Sequence, residues 1–347
     1  MEPRLIPYTT FKDYANGTKL FLRRNLAYLK VNIKSTRFDI AKEASSLTSF
    51  KKIIHNHNAS VPANQKAASN ITINTDNIRR LTCIQKVCAQ YPELYRNTGI
   101  SLKRLYQSLY VDEKHKMIYC AVAKVGCTNW IRTMARMGGR VSEKEAATMN
   151  VWTHLSKFVK SLDTYSPEKQ QRMLRDFYKV MFVREPIDRL LSAYKDKFAN
   201  NFKYNEVWFM RFGRAIIKRF RPNATKEEIK RGNSTTFKEF AQYVIENKPN
   251  ERHWREYHKS CQPCLIKYDF IGKYETMDRD ADYILRKVGV DETIQFPKMY
   301  KARLGSKDKF LKTLSVEEYR SLWNVYYADY VMFNYSYPKY LDTDNTV

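Results

Sequence analysis

From residue 119 the chain reads Tyr119-Cys-Ala-Val-Ala-Lys-Val-Gly-Cys-Thr-Asn-Trp130. Met117 to Val122 is a short apolar run with the look of a buried strand, and it ends near Ala123. Lys124 and Gly126 then occupy a short loop, and a helix is expected to open near Thr128 or Asn129. Trp130, Met134 and Met137 follow at +4 and +3, the spacing of one helical face. Strand, glycine-containing loop and helix start together form a phosphate cradle. Backbone N–H groups at the helix start face an anion, Lys124 adds a point charge, and Gly126 lets the main chain come close. An ordinary strand-to-helix turn capped by Thr128 or Asn129 would read the same way locally. No Walker A pattern is present.

A second segment repeats the layout: Phe182-Val-Arg-Glu-Pro-Ile-Asp-Arg-Leu-Leu-Ser-Ala-Tyr-Lys-Asp-Lys-Phe198. Tyr178 to Val183 is its strand, and Pro186 suits the first turn of the helix that follows. Ile187, Leu190, Leu191, Tyr194 and Phe198 form the apolar face of that helix, with Ser192 on its polar edge. Arg184 at the strand end and the Ser192 hydroxyl are fit to receive a second phosphate. A third apolar run, Leu265 to Ile271, reads as another strand. Strands alternating with helices predict an α/β fold with a largely parallel sheet flanked by helices, and ligands beyond the carboxyl ends of the strands. Two anion sites at neighbouring junctions suit a ligand with phosphates at both ends of a nucleoside.

The rest of the chain bounds the reading. It has 347 residues, 43% of them hydrophobic and 14% aromatic, which excludes global disorder. A net charge of +26 points to a polyanionic partner: nucleic acid, acidic lipid or acidic glycan. No apolar run reaches the roughly 18 residues of a membrane span, and no secretory leader is visible. Residues 1–76 read as a stem or linker region, partly disordered, because Ile40 to Asn77 is rich in Ser, Asn, Lys and Ala. Residues 77–340, richer in aromatic and aliphatic residues, read as the folded domain. Cys83, Cys88, Cys120, Cys127, Cys261 and Cys264 permit complete pairing, and sequons at Asn16, Asn58, Asn70, Asn223, Asn233 and Asn334 also point to a secretory compartment. A four-thiolate zinc site from Cys83, Cys88, Cys261 and Cys264 is the alternative use of four of these cysteines.

Taken together, the two motifs resemble the signatures of Golgi carbohydrate sulfotransferases, nearest to the chondroitin/dermatan 4-O-sulfotransferases. Two further stretches fit that group: His253-Trp254 followed by Cys261-Gln-Pro-Cys-Leu-Ile-Lys-Tyr-Asp-Phe-Ile-Gly-Lys-Tyr-Glu275, and Asp329-Tyr-Val-Met-Phe-Asn-Tyr-Ser336. The resemblance spans about residues 79–338 and makes residues 77–340 the catalytic domain. It implies a P-loop-NTPase-like sheet and the donor 3′-phosphoadenosine 5′-phosphosulfate, with no metal. By the same resemblance Lys124, Val125, Gly126, Cys127, Thr128, Asn129 and Trp130 hold the phosphosulfate end. Arg184 and Ser192 hold the 3′-phosphate, with Glu185, Pro186, Ile187, Asp188, Arg189, Leu190 and Leu191 completing that segment. The chain departs from the family in having Ala123 for a usual Pro and Ile131 for a common Lys. Such relatives are type II proteins of the Golgi membrane, facing the lumen, and no anchor is visible in this chain.

Sulfuryl transfer, like phosphoryl transfer, is catalysed mainly by positioning and electrostatic stabilisation. Lys124 is the candidate for stabilising the departing bridging oxygen. A sugar hydroxyl needs a base, and His154, between the two motifs, is the first candidate, with His253 and Glu185 as alternatives. From Trp208 to Arg231 the chain carries eight basic and two acidic residues. Arg211, Arg214, Lys218 and Arg221, at +3, +4 and +3, would line one helix face as a basic stripe for an acidic glycosaminoglycan acceptor, unless they are only a solvated face. Nucleic-acid binding has charge in its favour but no helix-turn-helix, zinc-finger or RNP signature. A glycan-binding protein without catalysis is the other competing class.

Overall fold

The computed structural model describes residues 61–92, 94, 98–148, 150, 157–199, 203–247, 250–298 and 307–336, with side chains from residue 72 onward. All that follows concerns the compact unit Ala67–Val347. Most of the expected stem lies outside the described residues.

Five strands make one sheet: β1 (Leu109–Asp112), β2 (Met117–Cys120), β3 (Lys160–Ser161), β4 (Tyr178–Val183) and β5 (Phe270–Lys273), in the order β3-β1-β2-β4-β5. Strands β2, β4 and β5 run parallel, with β5 at the sheet edge, as the alternation of strands and helices predicts. Pairing of β2 with β4 runs from Met117 opposite Tyr178 to Cys120 opposite Met181, so the two strand-to-helix junctions come out side by side. The sequence gives no warning of β1 and β3, which add an antiparallel edge. Every residue of β2 is buried, as is all of β4 after Tyr178, which explains their unbroken apolar reading.

The third expected strand, Leu265 to Ile271, is displaced toward the C-terminus. The N–H groups of Leu265 and Ile266 both turn back to the Gln262 carbonyl, and Leu265 is exposed. Pairing is fixed instead by Val180 opposite Phe270 and by Asp269, which exchanges hydrogen bonds with Lys179 at the strand entrance. Gly272 is required on β5, because a Cβ there would fall 2.1 Å from the Phe182 ring.

The helices used below are α1 (Val61–Gln90), α2 (Cys127–Met137), α3 (Pro186–Lys197), α4 (Arg214–Phe220), α5 (Phe237–Asn247), α6 (Met277–Lys287), α7 (Val316–Val325) and α8 (Tyr327–Met332). Helix α1 runs through the expected domain boundary at residue 76. Ile73, Ile84 and Val87 are buried, and the Asn77 side chain donates to the Asp269 carbonyl and accepts from the Ile271 N–H. Arg80 donates to the Ile271 carbonyl and pairs with buried Asp280 of α6. Part of the segment that reads as linker is therefore a cover for β5.

One core surrounds the sheet. Trp130 of α2 lies fully buried there, 5.3 Å from Tyr119, 5.2 Å from Phe182 and 5.0 Å from Phe296 between ring centres. A second core, rich in aromatics, joins α3 to α5, α7 and α8 through Tyr194, Phe198, Phe240, Trp254 and Tyr330. Each large apolar side chain so buried contributes about 2–3 kcal/mol. Disulfides Cys88–Cys264 and Cys120–Cys261 tie the segment after residue 250 to α1 and to β2. Cys83 and Cys127 are free thiols. Three of the four cysteines in the zinc alternative are thus consumed by disulfides, and Cys83 donates to the Val331 carbonyl instead.

Candidate active site

Where β2 and β4 end, a cavity of about 250 Å³ opens. Its floor is the first junction. Lys124 (φ +69°) and Gly126 (φ +82°) both adopt the left-handed region, glycine readily and lysine against its Cβ. Val125 between them is fully buried and anchors the turn. Helix α2 starts at Cys127, slightly earlier than expected, and Gly126 at its N-cap offers no side chain to close the first turn. Capping by Thr128 or Asn129 does not occur. Both residues line the cavity with Gly126 and Cys127, so the positive end of α2 faces it.

The second junction supplies Arg184 and Ser192 to the same cavity. The Arg184 guanidinium lies 4.3 Å from the centre of the Tyr274 ring. Its backbone N–H donates to the Tyr257 hydroxyl, which donates back to the Arg184 carbonyl. Asp196, one turn beyond Ser192, forms ion pairs with Lys124 (3.2 Å) and Lys197 (3.0 Å). Burial alone would raise the Asp196 carboxyl, but the two ammonium groups hold it below the usual range. Among the described residues Lys124, Arg184, Lys197 and Arg252 face the cavity, against the one carboxylate of Asp196. Such a lining binds polyanions.

The remaining residues named from the two motifs stand outside the cavity lining. Trp130 and Val125 belong to the core. Glu185 caps α3, accepting from the Asp188 N–H, and also accepts from the Tyr330 hydroxyl. Burial raises the Glu185 carboxyl above its ordinary range, against the pull of Lys307. Asp188 pairs with Lys307 at 2.5 Å. Pro186, Ile187, Leu190 and Leu191 are buried. Arg189, 1% exposed, donates to the carbonyls of Ala123 (3.0 Å), Arg255 (2.7 Å) and Arg252 (3.2 Å). It clamps the first junction to the far wall, its donors taken up by backbone carbonyls.

That far wall holds Arg252, His253 and Tyr274. Buried Trp254 fixes it, its carbonyl accepting from the Tyr326 hydroxyl, and so does Asp329, which accepts from the N–H groups of Tyr257 and His258. The His253 imidazole lies 2.8 Å from Glu251 through Nδ1 and edge-on to Trp208. His154 falls outside the described residues.

The basic stripe needs correction. Residues 206–220 are not one regular helix, because a π-helical turn at Phe209–Gly213 precedes α4. Arg211, Arg214 and Lys218 are exposed, but Arg221 turns inward. Its guanidinium meets Glu239 at 2.7 Å and Glu228 at 2.9 Å and also bonds Ser234. Arg211 comes within 4.0 Å of Glu251, so the stripe begins beside the cavity.

Asp196 and Lys197 sit inside the second motif and were legible as the next turn after Ser192. Tyr274 immediately follows β5, the same strand-end position as Lys124 and Arg184, whereas Arg252 lies in a loop that no spacing rule assigns.

A sheet whose β2, β4 and β5 run parallel, with a cationic cavity at two strand-to-helix junctions, suits an enzyme with a polyanionic ligand. The sulfotransferase family model matches residues 107–336. Carbohydrate sulfotransferase 11 of Rattus norvegicus is 40% identical over 263 residues, covering 72% of this chain and 74% of the relative. Carbohydrate sulfotransferase 9 of Homo sapiens is 36% identical over 272 residues, covering 75% and 60%. Carbohydrate sulfotransferase 14 of Danio rerio is 34% identical over 264 residues, covering 74% and 70%. No solved structure matches the chain significantly. The chain belongs to the sulfotransferase family, within its carbohydrate sulfotransferase group, and is an enzyme of that class.

Proposed function

We propose that this enzyme transfers the sulfuryl group of 3′-phosphoadenosine 5′-phosphosulfate to a hydroxyl of a chondroitin/dermatan-type glycan, the 4-OH of N-acetylgalactosamine. The observation that carries the reading is the convergence of both junctions on one cavity with Lys124, Arg184 and Ser192 in its wall. In this reading the N–H groups opening α2 and the Lys124 ammonium hold the phosphosulfate end. Arg184 and Ser192 hold the 3′-phosphate, and Tyr274 keeps the guanidinium plane in place. Glu185 to Leu191 and Trp130 support these contacts from behind.

Lys124 stabilises the negative charge that grows on the bridging oxygen as the nucleotide leaves. Asp196 shares that ammonium beforehand and keeps it over the cavity. The acceptor proton goes to a histidine, for which the chain offers His154 and His253. Arg211, Arg214 and Lys218 guide the acidic acceptor toward the cavity mouth. The acceptor sugar rests on the sequence resemblance, and a lumenal Golgi location agrees with the two disulfides. Among the described residues no helix is long and apolar enough to cross a membrane.

The test is incubation with sulfur-labelled donor and a panel of desulfated glycosaminoglycans, followed by disaccharide analysis. Label on the 4-position of galactosamine units supports the reading. Label elsewhere moves the acceptor assignment. Nucleotide binding without label on any glycan defeats the catalytic reading.

A further inference from the structure

We propose that His253 is the catalytic base that takes the proton from the acceptor hydroxyl, with Glu251 as its positioning residue. The inference rests on the sulfuryl-transfer reading and names the base of that same site. His253 lines the cavity that also holds Lys124 and Arg184, so it faces the place where donor and acceptor would meet. Its Nδ1 lies 2.8 Å from Glu251 Oε1. An ionised carboxylate only accepts hydrogen bonds, so Nδ1 carries the proton and Nε2 keeps its lone pair. No described residue hydrogen-bonds to Nε2. The ring is held edge-on against Trp208, 4.9 Å between centres, and its main chain is fixed by Arg189 on one side and buried Trp254 on the other. A base, a carboxylate that sets its tautomer and a packed ring constitute a built site.

The charges around the ring agree. Burial is the largest influence and holds the imidazole below its ordinary value. Lys197 from α3 and Arg252 beside it act in the same direction, and Glu251 opposes them. Arg211 stands behind Glu251. The imidazole is therefore neutral near pH 7, as a base must be. The other described histidines are committed elsewhere. His258 is buried against Asp329, and His115 pairs with Asp112 at the turn between β1 and β2.

In the step, the acceptor oxygen forms a bond to sulfur while the bond from sulfur to the phosphate oxygen breaks. The nucleotide leaves with that electron pair, and the hydroxyl proton passes to Nε2 and from there to solvent.

The experiment compares wild type with His253→Gln, Glu251→Gln and His154→Ala. It measures kcat/KM for transfer from pH 5 to 9, and binding of 3′-phosphoadenosine 5′-phosphate by calorimetry as a control for folding. His253→Gln should lower turnover about 100-fold or more with nucleotide affinity retained, and its acid limb should vanish. Glu251→Gln should keep an acid limb but move it to lower pH, because the carboxylate that favours the imidazolium is gone. Loss of nucleotide affinity in the wild type would defeat the underlying reading. With that affinity intact, His253→Gln turnover within about threefold of wild type, or an acid limb that Glu251→Gln leaves in place, overturns the proposal. An acid limb abolished by His154→Ala alone assigns the base to His154 and overturns it equally.

Discussion

Two basic side chains of the motifs, one in the cavity wall and one behind it, do opposite work. Lys124 stands in the cavity wall and, among the described residues, pairs with Asp196, a partner that an incoming anion can displace. Replacing it by Met should lower kcat about 100- to 1000-fold, the scale on which a charge directed at the leaving group acts. Affinity for the nucleotide product should change much less, and calorimetry beside turnover measurements separates the two. Arg189 has the charge of a ligand-binding residue, but its guanidinium joins three backbone carbonyls and lies 4.6 Å from the Tyr257 ring. Arg189→Ala should destabilise the fold by about 3 kcal/mol or more, because three buried acceptors lose a charged donor. Urea unfolding reads this directly, and an unchanged midpoint would return Arg189 to the list of ligand-binding residues.

Among the elements, those legible in the sequence are those whose residues are buried on every side. β2 and β4 read correctly because an inner parallel strand has no polar face, and α2 and α3 because their apolar spacing is regular. β3 spans two residues and β1 four, too short for any pattern. β5 misled the reading because buried Ile266 and Tyr268 lie in the preceding turn, and only pairing with β4 decides where the strand begins. The cavity divides in the same way. Lys124, Gly126, Arg184 and Ser192 follow strands that read clearly, Tyr274 follows β5, whose start the sequence misplaces, and Arg252 lies in a loop far from any strand end. The basic stripe, read from spacing alone, includes one member that is a staple. Removing the charges of Arg211, Arg214 and Lys218 together should raise the acceptor KM and flatten its salt dependence, with donor affinity unchanged. Arg221→Ala should leave the KM alone and destabilise the protein by about 2 kcal/mol, through loss of its bonds to Glu239 and Glu228. A change in acceptor KM from Arg221→Ala would put it back on the stripe.

For the molecule as a whole, acid is the informative stress. Glu239 is buried, which alone would raise its carboxyl, yet the Arg221 guanidinium and Thr236 hold it below the usual range. Asp196 is held low by its lysines, and Glu251 by His253 and Arg211 after the same opposition from burial. A carboxylate lowered in the folded state contributes stability above its unfolded value and loses it as pH falls toward the folded one. Glu185 runs the other way: its carboxyl is raised, so it favours the folded state as it gains a proton. These lowered carboxylates outweigh the raised Glu185 and predict a melting temperature that falls as the pH drops below about 4. Calorimetric scans from pH 3 to 7 test this, and a melting temperature that rises on acidification would contradict it.

Cys261 and Cys264 stand three positions apart, and their bridges reach back 141 and 176 residues to Cys120 and Cys88. The wall that bears Arg252 and His253 is therefore anchored by bonds that a reducing cytosol does not sustain. On the proposed function, material produced there should assemble the strands and the two junctions assigned to the nucleotide, while the wall that bears Arg252 and His253 stays slack. A nucleotide-affinity resin would retain such a product, and glycan sulfation would be missing from it. On the same reading, oxidative maturation would then separate a chain that only grips its donor from one that also delivers the sulfuryl group.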